Sequence, residues 1–356
     1  MLTARLPMLI RECPMSATRT ARTSVFVEVM AKTALIDQYG AYLGVKQGRF
    51  VLKVRGETKW EKAPVEIDSI VIACEGVSVS AAALMLAAKF GIDVVFFRYT
   101  SPVARLLHYR YGTLMKTWSL QLKHYESDAL SLARKFLEGK IHNQRLVLLE
   151  YSRRLRGAGR DAGFIENKAA ELANRLSELA SASDLAGLLQ VEGHAAKSYW
   201  QAVSTLLPED FGFHHRYTRS NPPDGPLDPF NKALNIGYAL LRKEVWRAVF
   251  LAGLNPYLGF LHKPRGGRPA LVLDLMEEFR PVSVDRPLIG LARTDRKIFA
   301  KLDEDKDAAF RDIWAYLLKY MHESKPPHVE LIASQARKLV LHLQGVAPYN
   351  PFKSRW

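Results

Sequence analysis

Cysteine is almost absent from this chain. Cys13 and Cys74 are its only two cysteines in 356 residues, and they lie far apart in different surroundings. Two cysteines placed in this way build neither a disulfide framework nor a zinc knuckle. The near absence of cysteine therefore favours a reducing, cytoplasmic location.

Long apolar runs and several familiar motifs are also missing. No stretch approaches the roughly 20 apolar residues of a membrane-spanning helix, so we expect no membrane partner. The chain carries no Walker loop, dinucleotide fingerprint or Ser-His-Asp elbow. It has no internal repeat and no low-complexity segment. These absences exclude the usual signatures of nucleotide-binding proteins and serine hydrolases.

Acidic residues are outnumbered by basic ones. The chain has 51 Lys and Arg against 36 Asp and Glu, which gives a formal net charge of +15 and a pI near 9.7. A basic surface attracts polyanions, because counterions are released from the phosphates that it neutralises. The charge predicts a nucleic-acid partner, although some basic proteins bind RNA without any nucleic-acid function.

The first patterned segment, from about 32 to 110, is predicted to be rich in β-strands. One helix, with Ser78 or Ser80 as its N-cap and Gly91 as its stop, interrupts the strands. The strand that follows it, IDVVFFR, is almost wholly apolar, so we expect it to be buried on both faces. The other runs of β-branched and aromatic residues are TALID, AYLGVK, RFVLKVR and SIVIAC.

From about Gly112 onward the pattern becomes helical. Apolar residues recur at steps of three and four, first over about ten turns with a predicted break near Gly139. A proline-rich connector, 220–229, precedes a helix that is apolar on nearly every face, FNKALNIGYALLRKEVWRAVFLAG. Further helices are predicted at 162–181, 184–206, 307–322 and 328–343.

These patterns predict an α+β chain with two domains, since its length exceeds one typical core. A mainly β domain with one helix would span 30–112, and an all-α catalytic domain would span 113–345. A tail, 346–356, would follow. Residues 1–29 superficially resemble a targeting peptide, but we interpret them as a disordered extension or a start codon placed too early.

Four residues predict a metal site: Glu192, His262, Asp274 and Glu277. The spacing of Asp274 and Glu277 places two carboxylates on one face of a helical turn with apolar surroundings. Buried carboxylates without partners would lose their charge, and a divalent cation removes that penalty. One nitrogen among oxygen ligands suits Mg²⁺ or Mn²⁺.

Each of these residues also has a simpler interpretation. Glu192 would then be a surface glutamate that favours a helix dipole, and His262 a loop histidine that backbone carbonyls satisfy. The two remaining carboxylates would form salt bridges with Arg280 and Arg286. The four residues together favour the metal site over these alternatives.

Basic residues near His262 predict contacts with DNA phosphates. Lys263, Arg265 and Arg268 surround Gly266-Gly267, a turn that lets the backbone approach a phosphate closely. Four more residues complete the predicted DNA contacts: Lys197, Tyr199, Arg219 and Arg280.

Several separated segments, in order, resemble the CRISPR-associated spacer integrase family, the universal nuclease of adaptation. The resemblance spans about 32–345, and no family inference extends to residues 1–29. It is carried by EGHAAKSYWQAV, NPPDGPLDPFNKALNIGYALL, GLNPYLGFLH, LDLMEEFRPVSVDRPL and the earlier run DSIVIACEGVSVSAAALMLAAKFGIDVVFF.

The resemblance implies a fold, a set of ligands and partners. It implies a homodimer formed through the β domains and metal ligands at Glu192, His262 and Glu277. Asp274 would be the accompanying acidic residue, and all four would be catalytic. Some relatives have Asp where this chain has Glu277. A small ferredoxin-like CRISPR partner protein would bridge two dimers.

The implied reaction is transesterification on DNA. The 3′-hydroxyl of a short duplex fragment would attack a CRISPR repeat, which is spacer acquisition in antiviral defence. The reverse reaction would excise branched DNA, and water as nucleophile would give endonuclease activity. A stand-alone transposon-type integrase or branched-DNA repair nuclease would share this fold and site. A non-catalytic DNA-binding scaffold is the other alternative.

Overall fold

The computed structural model describes residues 33–67, 69–98, 101–106, 112–218 and 221–355. The predicted extension, 1–29, and the predicted DNA contact Arg219 lie outside the described residues. The strands are β1 (Thr33–Ile36), β2 (Ala41–Lys46), β3 (Arg49–Val54), β4 (Glu57–Lys62), β5 (Ser69–Ile72), β6 (Ser78–Val79), β7 (Asp93–Arg98) and β8 (Ser101–Leu106).

The helices follow the strands, except for α1, which lies between β6 and β7. They are α1 (Ala81–Phe90), α2 (Gly112–Gly157), α3 (Gly163–Ser181), α4 (Leu185–Ser204), α5 (Pro229–Leu251), α6 (Ala270–Glu277), α7 (Arg286–Thr294), α8 (Lys297–Glu304), α9 (Lys306–Glu323) and α10 (His328–Leu343). A β-rich region followed by a mainly helical region confirms the predicted α+β class. Within the described residues no helix is both long and apolar enough to cross a bilayer.

The β region consists of two four-stranded sheets, in the orders β1-β5-β7-β8 and β4-β3-β2-β6. The five strands expected from the sequence are present, and β4, β6 and β8 are additional. The sequence of β4, ETKWEK, is mostly charged because this strand lies at a sheet edge, where most of its side chains are exposed. The sequence analysis did not predict this strand, because it contains no run of apolar residues.

Helix α1 and strand β7 confirm two local predictions. The Ser80 hydroxyl accepts a hydrogen bond from the Ala83 amide at 3.1 Å, and Gly91 ends the helix in the left-handed conformation, with φ of 68°. In β7, Val94 belongs to one hydrophobic cluster and Val95 to another, so both faces of the strand are buried.

The long helix α2 corrects the prediction of a break at Gly139. The helix is irregular at Asp128 instead, where φ is −144° and ψ is 20°. At Gly139, a Cβ atom would lie 2.9 Å from Glu278 Cγ and 3.2 Å from the carbonyl oxygen of Phe352. The glycine therefore serves a close approach of two chain segments and does not interrupt the helix.

The helices enclose one large hydrophobic core. Phe136 of α2, Tyr199 of α4 and Leu234 of α5 belong to it, and so does Phe279, which follows α6. Helix α2 packs along α3, α4 and α6. Because α4 and α6 both lie against α2, residues far apart in sequence meet at this junction.

Candidate active site

Glu192 and Glu277 meet at a largely buried lysine, Lys140, whose side chain is 14% exposed. Its Nζ lies 2.5 Å from Glu192 Oε1 and 2.7 Å from Glu277 Oε2. Glu192 projects from α4, Glu277 from the last turn of α6, and Lys140 from the middle of α2. Two of the predicted ligands therefore converge on one positive charge.

The sequence analysis missed Lys140, although a signal for it exists. Lys140 stands within an apolar stripe of α2 that includes the buried residues Phe136, Leu137 and Val147. A lysine at such a position is rarely buried unless it has an anionic partner. A lysine within an apolar stripe therefore predicts a nearby carboxylate.

The electrostatics of Lys140 and Glu277 are those of a tightly paired site. Burial alone would lower the pKa of Lys140, but Glu192 and Glu277 raise it above its ordinary value. Burial would likewise raise the pKa of Glu277, but Arg280, Lys140 and His262 lower it to about 2. Arg280 Nε donates a hydrogen bond to Glu277 Oε1 at 3.1 Å. Glu277 is thus held as a carboxylate despite its burial.

The donor set at this position fits a divalent cation. Glu277 Oε2 is buried and accepts no hydrogen bond of regular geometry, although Lys140 Nζ is 2.7 Å away. The oxygen therefore lies against the positive charge of Lys140 without a hydrogen bond of regular geometry. Carboxylate oxygens with one imidazole nitrogen nearby are ligands that Mg²⁺ and Mn²⁺ accept.

Asp274 occupies the position of a residue that orients His262. Its fully buried carboxylate accepts hydrogen bonds from the amides of Phe260, Leu261 and His262 at 2.5, 3.0 and 2.8 Å. His262 Nδ1 lies 2.7 Å from Asp274 Oδ1. A proton on Nδ1 that is donated to Asp274 leaves the lone pair on Nε2, as in many carboxylate–histidine–metal arrangements. Asp274 therefore acts through His262.

A glycine makes this arrangement possible. At Gly259, a Cβ atom would lie 2.7 Å from Asp274 Oδ2 and 2.8 Å from Ala270 Cβ. The turn that carries His262 can therefore lie directly on α6 only because residue 259 has no side chain.

The predicted convergence of three ligands is only partly seen. His262 acts electrostatically on Glu277, and Glu192 shares Lys140 with that carboxylate. Within the described part of the chain, however, the ligand atoms of Glu192, His262 and Glu277 do not all come within 4.8 Å of one another. The ammonium of Lys140 contacts both carboxylates.

A second cluster, His124, Asp128 and His342, has its ligand atoms within 4.8 Å of one another. It lies at the irregular turn of α2, next to α10. His342 Nδ1 accepts a hydrogen bond from the Tyr349 amide at 3.2 Å. The proton of a neutral His342 ring is then on Nε2, which lies 3.9 Å from Asp128 Oδ2. In this tautomer His342 has no free lone pair for a metal ion.

The basic loop after His262 lies at the surface. Lys263 and Arg265 are exposed, and Arg268 is half-buried. The Arg268 amide donates to the Arg265 carbonyl at 3.0 Å, and Gly267 has φ of 73°. The loop is thus a tight turn that presents cations to solvent.

Lys197 lies on the exposed side of α4, beside a basic groove. The groove has a volume of about 350 Å³, and Lys168 and Arg175 of α3 line it together with Lys197. Glu171 also lines this groove and pairs with Lys168 at 2.9 Å. The excess of positive charge is suited to a phosphate backbone.

Tyr199 and Arg280 are placed differently from the prediction. Tyr199 is fully buried, and its hydroxyl donates to Asp285 Oδ2 at 3.1 Å, so its predicted contact with DNA is wrong. Arg280 is mostly buried between Glu277 and the ring of Tyr238, whose centroid lies 4.6 Å from the guanidinium carbon. Arg280 therefore neutralises Glu277. Its contact with a DNA phosphate stays a prediction.

Comparisons with known proteins agree on one family. The family described as CRISPR associated protein Cas1 matches residues 34–310. The CRISPR-associated endonuclease Cas1 1 of Saccharolobus solfataricus is 38% identical over 325 residues, which cover 91% of this chain and 84% of that protein. The CRISPR-associated endonuclease Cas1 1 of Archaeoglobus fulgidus is 31% identical, over 90% of this chain and 99% of that protein.

Solved structures share the fold. A casposase bound to an integration product superposes with a TM-score of 0.70 and 23% identity, over 91% of this chain and 98% of that one. A chain of a partial Cas6-RT-Cas1–Cas2 complex superposes with a TM-score of 0.71 and 19% identity, over 90% of this chain and 98% of that one. At these identities the likeness concerns the fold alone.

Proposed function

The chain belongs to the CRISPR-associated Cas1 family, and from that premise we propose that it is a DNA endonuclease and integrase of spacer acquisition. The observation that carries the proposal is the convergence of Glu192 and Glu277 on one largely buried positive charge. Its relatives in Saccharolobus solfataricus and Archaeoglobus fulgidus are CRISPR-associated endonucleases, which supports the same reaction class.

Glu192, His262 and Glu277 would hold one Mg²⁺ or Mn²⁺ ion, and Asp274 would orient the imidazole. Bound there, the ion would supply Lewis acidity at the scissile phosphate and stabilise the leaving oxygen. Within the protein, the contact of Asp274 with His262 Nδ1 favours the neutral tautomer that carries its proton on Nδ1 and its lone pair on Nε2. Arg280 keeps Glu277 ionised at neutral pH.

Lys140 takes the place of the divalent cation when none is bound. A divalent ion on the same pair of carboxylates would repel the ammonium, so we expect Lys140 to move away from them when the ion is bound. Its ammonium would then be available to contact a phosphate oxygen of the DNA. In the metal-free protein Lys140 neutralises both carboxylates.

The reaction is a transesterification in which the protein mainly supplies positions and charge. The 3′-oxygen of a short DNA fragment attacks a phosphorus atom of the repeat and loses its proton. The bond from that phosphorus to the leaving 3′-oxygen breaks, and this oxygen gains a proton. Correct alignment of the two DNA ends accounts for a large part of the rate.

DNA would be held by the basic loop and the basic groove. Lys263 and Arg265 lie next to His262 in sequence and are exposed, so they would contact phosphates near the scissile bond. Lys197 lies five residues after Glu192 on α4 and would contact the strand farther from it. Arg268 would add a half-buried contact. These interactions are electrostatic and independent of base sequence.

A homodimer through the β region would place two such sites at a fixed distance, as the joining of both fragment ends requires. A small ferredoxin-like protein would bridge two dimers, and the solved Cas1–Cas2 complexes of the same fold support this partner class. Light scattering of the full-length protein over a range of concentrations should give the dimer mass, whereas a monomer throughout would contradict this assembly.

Substitution of Glu192 and His262 tests the proposed function. Glu192→Gln and His262→Ala should each reduce strand joining at least about a hundredfold, because both remove a metal ligand. DNA binding should persist, since many dispersed cations contribute to it. Glu150→Gln is the control, because Glu150 is a buried carboxylate of α2 that pairs with Arg286 at 2.6 Å. Parallel loss of binding and joining in the folded site variants would overturn the proposal.

A further inference from the structure

We propose that residues 349–354, the C-terminal strap, position the active site by clamping α2 to the end of α6. The strap lies beyond the segment that matches the family, which ends at 310. The inference rests on the proposed function, because it concerns the same pair of carboxylates. It adds Tyr349, Asn143 and Glu278 as positioning residues.

The strap holds Glu278, which follows Glu277 directly. Tyr349 Oη donates to Glu278 Oε1 at 2.6 Å, and the Phe352 amide donates to Glu278 Oε2 at 2.6 Å. Gln335 Nε2 donates to the same Oε2 at 3.0 Å. Glu278 is fully buried, so these donors satisfy a carboxyl group that water cannot reach.

The strap also holds α2 beside Lys140. Asn143 Nδ2 donates to the carbonyl oxygens of Glu278 at 2.8 Å and of Phe352 at 3.0 Å. The Ser354 amide donates to Asn143 Oδ1 at 2.8 Å. One turn earlier on α2, a Cβ atom at Gly139 would lie 3.1 Å from Pro351 Cβ. One asparagine thus joins three segments: α2, the end of α6 and the strap.

These contacts surround the ion pair of the active site. The strap fixes residues 139 and 278, and their chain neighbours Lys140 and Glu277 meet at 2.7 Å. A shift of the backbone at 139 or at 278 would change the distance between Lys140 Nζ and Glu277 Oε2, because these side chains start from the neighbouring residues. The strap therefore controls the separation of the elements that carry Glu277 and Lys140.

The strap has anchors of its own. The Tyr349 amide donates to His342 Nδ1 at 3.2 Å, and Lys353 Nζ pairs with Glu138 at 2.6 Å. The Phe352 ring stacks on Phe279, with 4.8 Å between ring centroids. These contacts explain why a segment without helix or strand structure keeps a defined position.

Tyr349→Phe tests the inference, and Tyr316→Phe is its matched control. The first change removes the hydrogen bond to Glu278, whereas the second removes one from the Tyr316 hydroxyl to the Pro287 carbonyl at 3.2 Å. Isothermal titration with Mn²⁺ should show affinity about tenfold weaker in Tyr349→Phe, the scale seen when groups behind metal ligands are altered. Tyr316→Phe should bind Mn²⁺ as the wild type does.

Amide hydrogen exchange of the metal-free proteins gives a second, independent readout. We expect faster exchange at 138–143 and at 277–280 in Tyr349→Phe, and unchanged exchange there in Tyr316→Phe. If Tyr349→Phe does not fold, Phe352→Leu replaces it, because it removes the stack on Phe279 but keeps the backbone hydrogen bond to Glu278.

The outcomes separate the strap from the proposed function. Equal Mn²⁺ affinity and equal exchange in the two variants would overturn the role of the strap. The proposed function would be overturned instead if the wild type bound no Mn²⁺, or if Glu192→Gln bound Mn²⁺ as well as the wild type does. In that case the exchange comparison still decides whether the strap clamps the two helices.

Discussion

Glu277 and Glu278 are neighbours in the chain, both are buried, and they contact different partners at the end of α6. Glu277 faces cations: burial opposes its charge, but Arg280 and Lys140 lower its pKa to about 2. Glu278 faces neutral donors, and burial raises its pKa to about 7. One side therefore maintains a fixed negative charge, which a metal site requires, and the other ties the chain together.

Lys140→Met should produce the largest change in stability. It removes a cation from Glu277 and leaves the donors around Glu278 unchanged. Without metal, Glu192 would lose its ion-pair partner and Glu277 would keep only Arg280, at a cost of about 3 kcal/mol in the free energy of unfolding. Saturating Mn²⁺ should close most of this gap, since the ion then supplies the missing charge. Chemical denaturation in EDTA and in Mn²⁺ measures both values.

Lys140→Arg is the control for that experiment, because it keeps the positive charge. It should lose much less stability than Lys140→Met in EDTA. A loss in Lys140→Met that is the same with and without Mn²⁺ would show that the lysine only supports the fold. The contrast between Glu277 and Glu278 would then have no bearing on metal binding.

A smaller effect is expected at His328, a buried histidine at the start of α10. Its Nδ1 lies 2.9 Å from the Ser283 hydroxyl, in the turn that follows Glu278. Burial, aided by Arg286, lowers the pKa of His328 to about 4. Its pKa in the folded state is thus below its unfolded value, so protonation favours unfolding, and stability falls as the pH drops from 6.5 toward 4.

The expected loss from this histidine between pH 7 and 4.5 is about 2 kcal/mol. Chemical denaturation at the two pH values should show that the free energy of unfolding of His328→Gln decreases by about 2 kcal/mol less than that of the wild type. His194→Gln, at an exposed histidine of α4, should retain the full decrease. The same pH dependence in His328→Gln as in the wild type would place the acid sensitivity elsewhere.

The smallest effect concerns DNA affinity. Lys197→Ala should weaken binding only a few-fold and reduce the slope of log affinity against log salt by about 1, because one phosphate contact is lost. Joining at saturating DNA should be unchanged, since Lys197 is not a metal ligand. A filter-binding series at several salt concentrations measures this slope. A large loss of joining with intact affinity would move Lys197 into the catalytic group.

The sequence predicted the carboxylates but not what lies between them. Glu192, Asp274 and Glu277 stood out because their motifs are local, and the helix spacing of two of them could be read directly. Lys140 lies 52 positions from Glu192, and only the packing of α2 against α4 brings the two together. Tertiary packing of this kind leaves no local pattern.

The strap and Gly139 show the same limit. Residues 349–354 have no periodic pattern, and their order comes from side chains at 143 and 278. Gly139 was interpreted as a helix break from its intrinsic preference, but the glycine serves contact with Glu278 and Phe352. By contrast, Ser80 and Gly91 were correct because helix caps depend on immediate neighbours.

A crystal structure of the protein with bound Mn²⁺, located by anomalous scattering, tests the central claim most directly. We predict one peak within ligand distance of Glu192, His262 and Glu277, with the Lys140 ammonium moved away from both carboxylates. A peak at His124, Asp128 and His342 instead, or Lys140 still between the carboxylates at saturating Mn²⁺, would contradict it.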